Sequence, residues 1–201
     1  MKTVSFLISG RGSNFSAVAE KIQGGYIKAK IGVVISDKPD AKGLVIAREM
    51  GFDAVAIDSK DFKTREDHER EMVSVLKKHK TDLVVAAGYM RLLTPYFVNK
   101  FRNKMINIHP ALLPSFPGVN AQKQAFDYGV KITGCTSHFV DEGTDSGPVI
   151  MQTAVSVSQN DTLTSLAQKI LKEEHRILPE SVKLFCEDKL IVSGRQVLIK
   201  E

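Results

Sequence analysis

The sequence predicts an open α/β fold: a mostly parallel, twisted sheet with helices on both faces, extended by antiparallel edge strands in the C-terminal half. Three observations predict it. Short β-branched runs alternate with helical patterns through the first half of the chain. The run "DLVVAAGYM" is almost continuously apolar, as a parallel strand covered on both faces requires. Beyond Gly118, "KITGCTSHFV" and "GPVIMQTAVSV" follow one another with no helix between them, which suits antiparallel neighbours.

Taken in order, residues 3–9 read as the first strand, and a Gly/Ser turn leads into a helix from about 14 to 23. "KIGVVISD" is the second strand, "GLVIAREMG" a short helix closed by Gly51, and "DAVAID" the third strand. Residues 64–80 form a helix capped by Thr64, with Met72, Val73 and Leu76 at helical spacing. Its end carries "KKHK", where positive charge complements the helix dipole. "DLVVAAGYM" is the fourth strand, Thr94-Pro95 opens the next helix with proline at its first position, and "MINIH" is the fifth strand. A helix over 121–128 precedes the two antiparallel strands, and a long helix from about 161 meets a potential kink at Pro179. "KLIVSGRQVLIK" closes the chain as a hairpin with Ser193-Gly194 at its turn. No repeat, low-complexity tract or linker interrupts this rhythm, so one domain over 1–201 is expected.

Composition narrows the function classes. With 201 residues, 43% hydrophobic and 25% charged, the chain has the make-up of an ordinary globular domain. The net charge of +5 is spread thinly, which suits small anionic ligands and argues against nucleic acid as a partner. Cys135 and Cys186 form no Cys-x-x-Cys pair and read as buried, inert thiols in a reducing compartment. The apolar run near the N-terminus is too short for a signal-peptide core, and no segment has the length of a membrane span, so no membrane partner and a cytoplasmic location are expected. Metal chemistry has little support, because "HEREM" carries Met72 where a second ligand to partner His68 belongs. His79 and His175 lie in charged helices and are expected to be solvated.

Three stretches carry chemistry. "SGRGSN", residues 9–14, joins a strand to a helix; Gly10 and Gly12 allow a tight turn, and Ser13 or Asn14 is placed to cap the helix. Backbone N–H groups at that positive dipole end make a seat for phosphate. The stretch is neither a P-loop nor a good dinucleotide fingerprint, since Phe15 holds the third glycine position, although Asp37 at the end of the second strand keeps that idea open. In "MINIHPALLPSFPG", Asn107 and His109 sit two apart on a strand and project to the same side, at the carboxyl end where open α/β sheets hold ligands. Pro110, Pro114 and Pro117 stiffen the exit, and one of the latter two is a candidate cis bond. "HFVDEGTDSGP" is a Gly-rich acidic loop in which Asp141, Glu142 or Asp145 could reach His109 and orient its ring. Leu92, Leu93, Phe97 and Val98 are candidates either for an apolar ligand slot or for plain core.

These motifs, with "ISGRGSN", "AAGYMRLL", "NIHPALLPSFPG" and "HFVDEGTDSGP" in this order and spacing, resemble the glycinamide ribonucleotide formyltransferases, folate-dependent enzymes of purine biosynthesis, over essentially the whole chain. The resemblance implies a Rossmann-like formyltransferase fold, with residues 1–105 as a ribonucleotide half and 106–201 as a formyl-folate half. It implies a catalytic trio of Asn107, His109 and Asp145 and a ribonucleotide phosphate site at the backbone of Gly12, Ser13 and Asn14. Glu174 is implied as a further ribonucleotide contact. For the formyl-folate it implies Arg65, Met90, Arg91, Leu92, Leu93 and Asn107, with the loop from Asp141 folding over the pterin. The co-substrate would be 10-formyltetrahydrofolate, the acceptor glycinamide ribonucleotide, with no metal, in a monomer or homodimer. "GVNAQKQ" departs from the pattern in having no His where some members carry one. Two alternatives stay open: a formyl-folate hydrolase, against which the phosphate turn argues, and a folate- or nucleotide-binding module without chemistry.

Overall fold

The computed structural model describes residues 1–200. Seven strands form one sheet in the order β3-β2-β1-β4-β5-β6-β7, and two more form a separate C-terminal ribbon. Strands β1 (Lys2–Ile8), β2 (Ala29–Ser36), β3 (Ala54–Ala56), β4 (Leu83–Ala86) and β5 (Met105–His109) run parallel. Strands β6 (Ile132–Phe139) and β7 (Val149–Ser156) are antiparallel additions beyond β5. The expected doubly covered sheet with an antiparallel far edge is what the chain forms.

Two apolar layers cover the sheet, and the alternation of β1 shows how one strand serves both. Val4, Phe6 and Ile8 face one core with Phe15 and Val18 of α1 (Ser13–Gln23), Leu44 of α2 (Lys42–Glu49), and Leu166, Ile170 and Ile177 of α6 (Leu163–Cys186). Leu7 faces the opposite core with Met72 and Leu76 of α3 (Arg65–Lys78) and Phe97 of α4 (Pro95–Lys100). Phe97 is therefore core, whereas Val98 and Leu93 reach a cleft. Helix α5 (Ala121–Tyr128) packs against α6.

Local chemistry explains most boundaries. Thr64 caps α3 by accepting from the Asp67 N–H, and Pro95 occupies the first turn of α4. Thr162 and Ser165 form a reciprocal capping box at the start of α6, which continues through Pro179 without a break. The fourth strand stops at Ala86, short of the apolar run, because the next residues leave the sheet as a loop. The C-terminal ribbon, β8 (Leu190–Ser193) and β9 (Gln196–Ile199), turns at Gly194 and Arg195, one residue later than the sequence suggested. Gly194 lies in that turn at φ +57°, a conformation glycine adopts without cost. No described helix is long and apolar enough to cross a membrane.

Neither Ser13 nor Asn14 caps α1; the N-cap is Gly12, in the left-handed region at φ 77°, with no side-chain cap bond. A Cβ there would sit 2.6 Å from Gly43 Cα, where the Gly43 N–H also donates to the Gly10 carbonyl over 3.0 Å. The turn is thus wedged against the start of α2. Gly12→Ala should destabilise the fold by about 1–3 kcal/mol through overpacking and a strained backbone. Urea denaturation checks this, with a lower midpoint at unchanged slope expected and an unchanged midpoint counting against it.

Candidate active site

The turn after β1 and the loop after β4 flank the point where the strand order reverses, since successive strands run outward from β1 in one direction and from β4 in the other. Open α/β sheets leave a crevice at such a point. Two clefts open there, side by side. One, of about 510 Å³, is lined by Ser9 to Asn14, by the loop after β4, and by Thr164, Ala167, Gln168, Leu171 and Glu174 on one face of α6. The other, of about 660 Å³, is walled by Arg65, the loop from Gly88 to Thr94, the end of β5 and the acidic loop from Asp141 to Asp145. Gly88, Met90, Ile108, Pro110 and Gln122 line both. Every site residue implied by the resemblance lies in one of these clefts, whereas Phe97 and Asp37 line neither, and each cleft draws on chain from both sides of position 105.

The junction is built on β5. Asn107 and His109 share one side of the strand, and antiparallel pairing sets His138 of β6 directly opposite Asn107. Burial lowers the His138 pKa, which favours the neutral ring. Its Nδ1–H donates to the Phe139 carbonyl (2.8 Å), which leaves Nε2 to accept from Asn107 Nδ2 at 3.2 Å. The second Asn107 Nδ2 hydrogen faces Asp145 Oδ1 at 3.5 Å, long for a hydrogen bond. Sequence reasoning did not single out His138, because its meeting with Asn107 depends on the register between two strands.

His109 is buried and engaged through both ring nitrogens. Its Nε2–H donates to the Phe116 carbonyl at 2.8 Å, and Nδ1 lies 3.2 Å from Asp145 Oδ2. Nε2 is thus taken up by the loop, and Nδ1 is the nitrogen that faces the Asp145 carboxylate. The Pro-rich loop serves this contact: the Leu113–Pro114 bond is cis, and Phe116 adopts φ 53°, rare for a bulky residue. Thr136 stabilises the same loop, accepting from the Leu113 N–H (3.0 Å) and donating to the Ala111 carbonyl (2.7 Å). Of the three acidic candidates, Asp145 is the one that reaches His109. Its Oδ2 also accepts from the Gly118 N–H at 2.7 Å, and its own φ is 52°, a region open to Asp and Asn. Asp141 instead folds its own loop, accepting from Ser146 Oγ (2.6 Å) and the Gly143 N–H (3.1 Å). Glu142 pairs at the surface with Arg102.

In the smaller cleft the first turn of α1 carries no acidic residue, and Arg11 adds a cation the sequence reading passed over. Asn14 Nδ2 donates to Glu174 Oε2 at 2.7 Å, while Asn14 Oδ1 has no partner among the described residues. Burial raises the Glu174 pKa above the usual carboxylate range, opposed by the Asn14 bond and by Arg11. Asp37, the residue that kept a dinucleotide site open, is buried and accepts from Ser9 Oγ at 2.6 Å.

Other titratable groups are accounted for away from the junction. Burial pushes the Cys135 thiol up to about 12 and that of Cys186 up to about 11, so neither is a ready nucleophile. His79 and His175 are only partly exposed, less than expected. His79 bonds to the Val75 carbonyl and Asp53, and His175 Nε2 is buried without a partner among the described residues. Burial lowers the His175 pKa. His68 donates its Nε2–H to the Ile57 carbonyl (2.8 Å), beside a fully buried Met72.

A doubly covered sheet with two clefts adjoining at a strand end suits an enzyme that acts on two small molecules. Residues 1–182 match the family described as formyl transferase, and the chain belongs to that family. It is 38% identical over 183 residues to the phosphoribosylglycinamide formyltransferase of Bacillus subtilis, covering 91% of this chain and 94% of that protein. It is also 42% identical over 196 residues to the trifunctional purine biosynthetic protein adenosine-3 of Drosophila melanogaster, where it spans 96% of itself but 14% of the relative. The crystal structure of glycinamide ribonucleotide transformylase 1 from Symbiobacterium toebii superposes with a TM-score of 0.98 at 45% identity, covering 100% of this chain and 95% of that one.

The raised Glu174 pKa has a testable sign. The fold binds this proton more tightly than the unfolded chain, so its contribution is present below the ordinary Glu pKa and is lost as pH rises through the raised value. The stability of wild type relative to Glu174→Gln should therefore fall as pH climbs from about 4 and then level off. Urea denaturation across pH measures it; a difference that does not vary with pH would contradict the assignment.

Proposed function

We propose that the protein transfers the formyl group of 10-formyltetrahydrofolate to the amine of glycinamide ribonucleotide, giving formylglycinamide ribonucleotide for purine biosynthesis. The observation that carries this reading is the pair of adjoining clefts with Asn107, His109 and Asp145 at their junction. The smaller cleft suits the ribonucleotide. Its phosphate would meet the N–H groups of Gly12, Ser13 and Asn14, and its ribose hydroxyls would meet Glu174 and the free Asn14 Oδ1. The larger cleft has the size and partly apolar wall that a pterin needs, with Met90, Leu92 and Leu93 on one side and the Asp141 loop on the other. Arg65 and Arg91 offer cations to the carboxylates of the folate tail.

The chemistry is acyl transfer between two nitrogens. The glycinamide amine attacks the formyl carbon, a new C–N bond forms, and the carbonyl oxygen takes up negative charge. The loosely held Asn107 Nδ2 hydrogen turns from Asp145 to that oxygen, while His138 fixes the rest of the amide. The bond from the formyl carbon to N10 then breaks. The proton lost by the amine ends on N10, and His109 Nδ1, facing Asp145, is placed to carry it. No covalent enzyme intermediate is needed, because the amine is itself the nucleophile.

Purified protein should deformylate 10-formyltetrahydrofolate only when glycinamide ribonucleotide is present, with formylated ribonucleotide recovered. Equal deformylation without it would make the protein a hydrolase. His109→Ala should lower kcat by about 10²–10⁴-fold while the dissociation constant for the folate changes little; a variant that turns over normally would remove His109 from the chemistry.

A further inference from the structure

The loop that walls the larger cleft is held from behind by two buried carboxylates that line neither cleft. At its start, the Met90 N–H donates to Ser9 Oγ (2.9 Å), whose own hydrogen goes to Asp37, and the Ser9 N–H donates to the Gly88 carbonyl (3.1 Å). At its end, Glu69 of α3, only 1% exposed, accepts from the Thr94 N–H at 2.8 Å and from the Thr94 hydroxyl. Among the described residues Glu69 forms no ion pair. An unpaired carboxylate in the interior is costly, and an apolar side chain would fill the same space. What the carboxylate adds is direction: it accepts two bonds from one residue and fixes where the loop ends and α4 begins.

Between these two ties the loop presents its apolar side chains outward. Met90 is 67% and Leu92 60% exposed, both on the wall of the larger cleft. Neither is held by packing, so their positions depend on the backbone. The first tie runs through Ser9, which also borders the smaller cleft, and therefore touches both sites. The second touches only the larger one, because Thr94 lines that cleft alone. α3 adds to the selectivity of this end, since its first residue, Arg65, lines the same cleft.

We infer that Glu69 is a positioning residue for the formyl-folate, acting through Thr94 to hold the wall from Met90 to Leu93 in binding shape; this rests on the reaction proposed above. Its signature is an effect on one substrate and not the other. In steady-state kinetics with each substrate varied in turn, Glu69→Ala should raise the KM for 10-formyltetrahydrofolate about tenfold, as expected for a lost charge-assisted bond. The ribonucleotide KM should stay within about twofold. Glu69→Gln keeps an acceptor oxygen for the Thr94 N–H and should recover most of the loss. Should the alanine variant not fold, Thr94→Val removes the hydroxyl donor alone and should shift the same KM in the same direction. A folded Glu69→Ala with a lower melting temperature but wild-type KM values would show a purely structural role and overturn the inference. Wild-type protein inactive with this substrate pair would overturn the proposed reaction, and the inference with it.

Discussion

The carboxylate of Asp145 is the constraint on which the rest of the junction depends. It touches His109 Nδ1, the Gly118 N–H and, more loosely, Asn107 Nδ2, so one side chain gathers three stretches of chain. The three stretches have different structural origins. Asn107 and His109 belong to the last parallel strand, Gly118 to the Pro-rich loop, and Asp145 to the connection between the two antiparallel strands. Charge-assisted bonds of this kind are stronger than neutral ones, which suits a single group holding loop backbone against a strand end. The left-handed backbone at Asp145 and at Phe116 marks the two places where the chain accepts strain to deliver a carboxylate and a carbonyl to the same ring.

The change of direction in the sheet makes this possible. β6 enters from beyond the carboxyl end of β5 and runs back along it, so antiparallel pairing puts His138 opposite Asn107 and the following loop folds back over the end of β5. The same end of the sheet holds the crevice at the switch point between β1 and β4. The two clefts share Ile108, the residue between Asn107 and His109, so in the proposed reaction molecules held in both would meet beside that strand end.

Much of this was legible in the sequence. Period and composition located the strands and helices, and the i, i+2 spacing of Asn107 and His109 showed that both face one side of a strand end. What stayed hidden depends on distant pairing or on backbone. Asp145 could not be separated from Asp141 and Glu142 by spacing, and the resemblance to formyltransferases was needed to choose it. His138, the Phe116 carbonyl, and the buried acceptors Asp37 and Glu69 acquire their parts only through register and loop path. Ser13 and Asn14 looked like caps because of residue type, but the approach of Gly43 demands glycine at the cap, and Asn14 turns to Glu174 instead. His175 looked exposed because its helix is charged, although it lies toward the packed side near Glu20.

The proposed chemistry turns on the charge of Asp145, and the backbone at that residue makes a clean test available. Asparagine tolerates the left-handed region as well as aspartate does, and its carbonyl still accepts from the Gly118 N–H, so Asp145→Asn changes charge with little change of shape. The measurement is the single-turnover rate of formyl transfer with both substrates saturating, together with their dissociation constants. The predicted result is a rate lowered by about 10²–10⁴-fold with both constants nearly unchanged. A near-normal rate, or a loss confined to binding, would contradict a catalytic trio organised by this carboxylate.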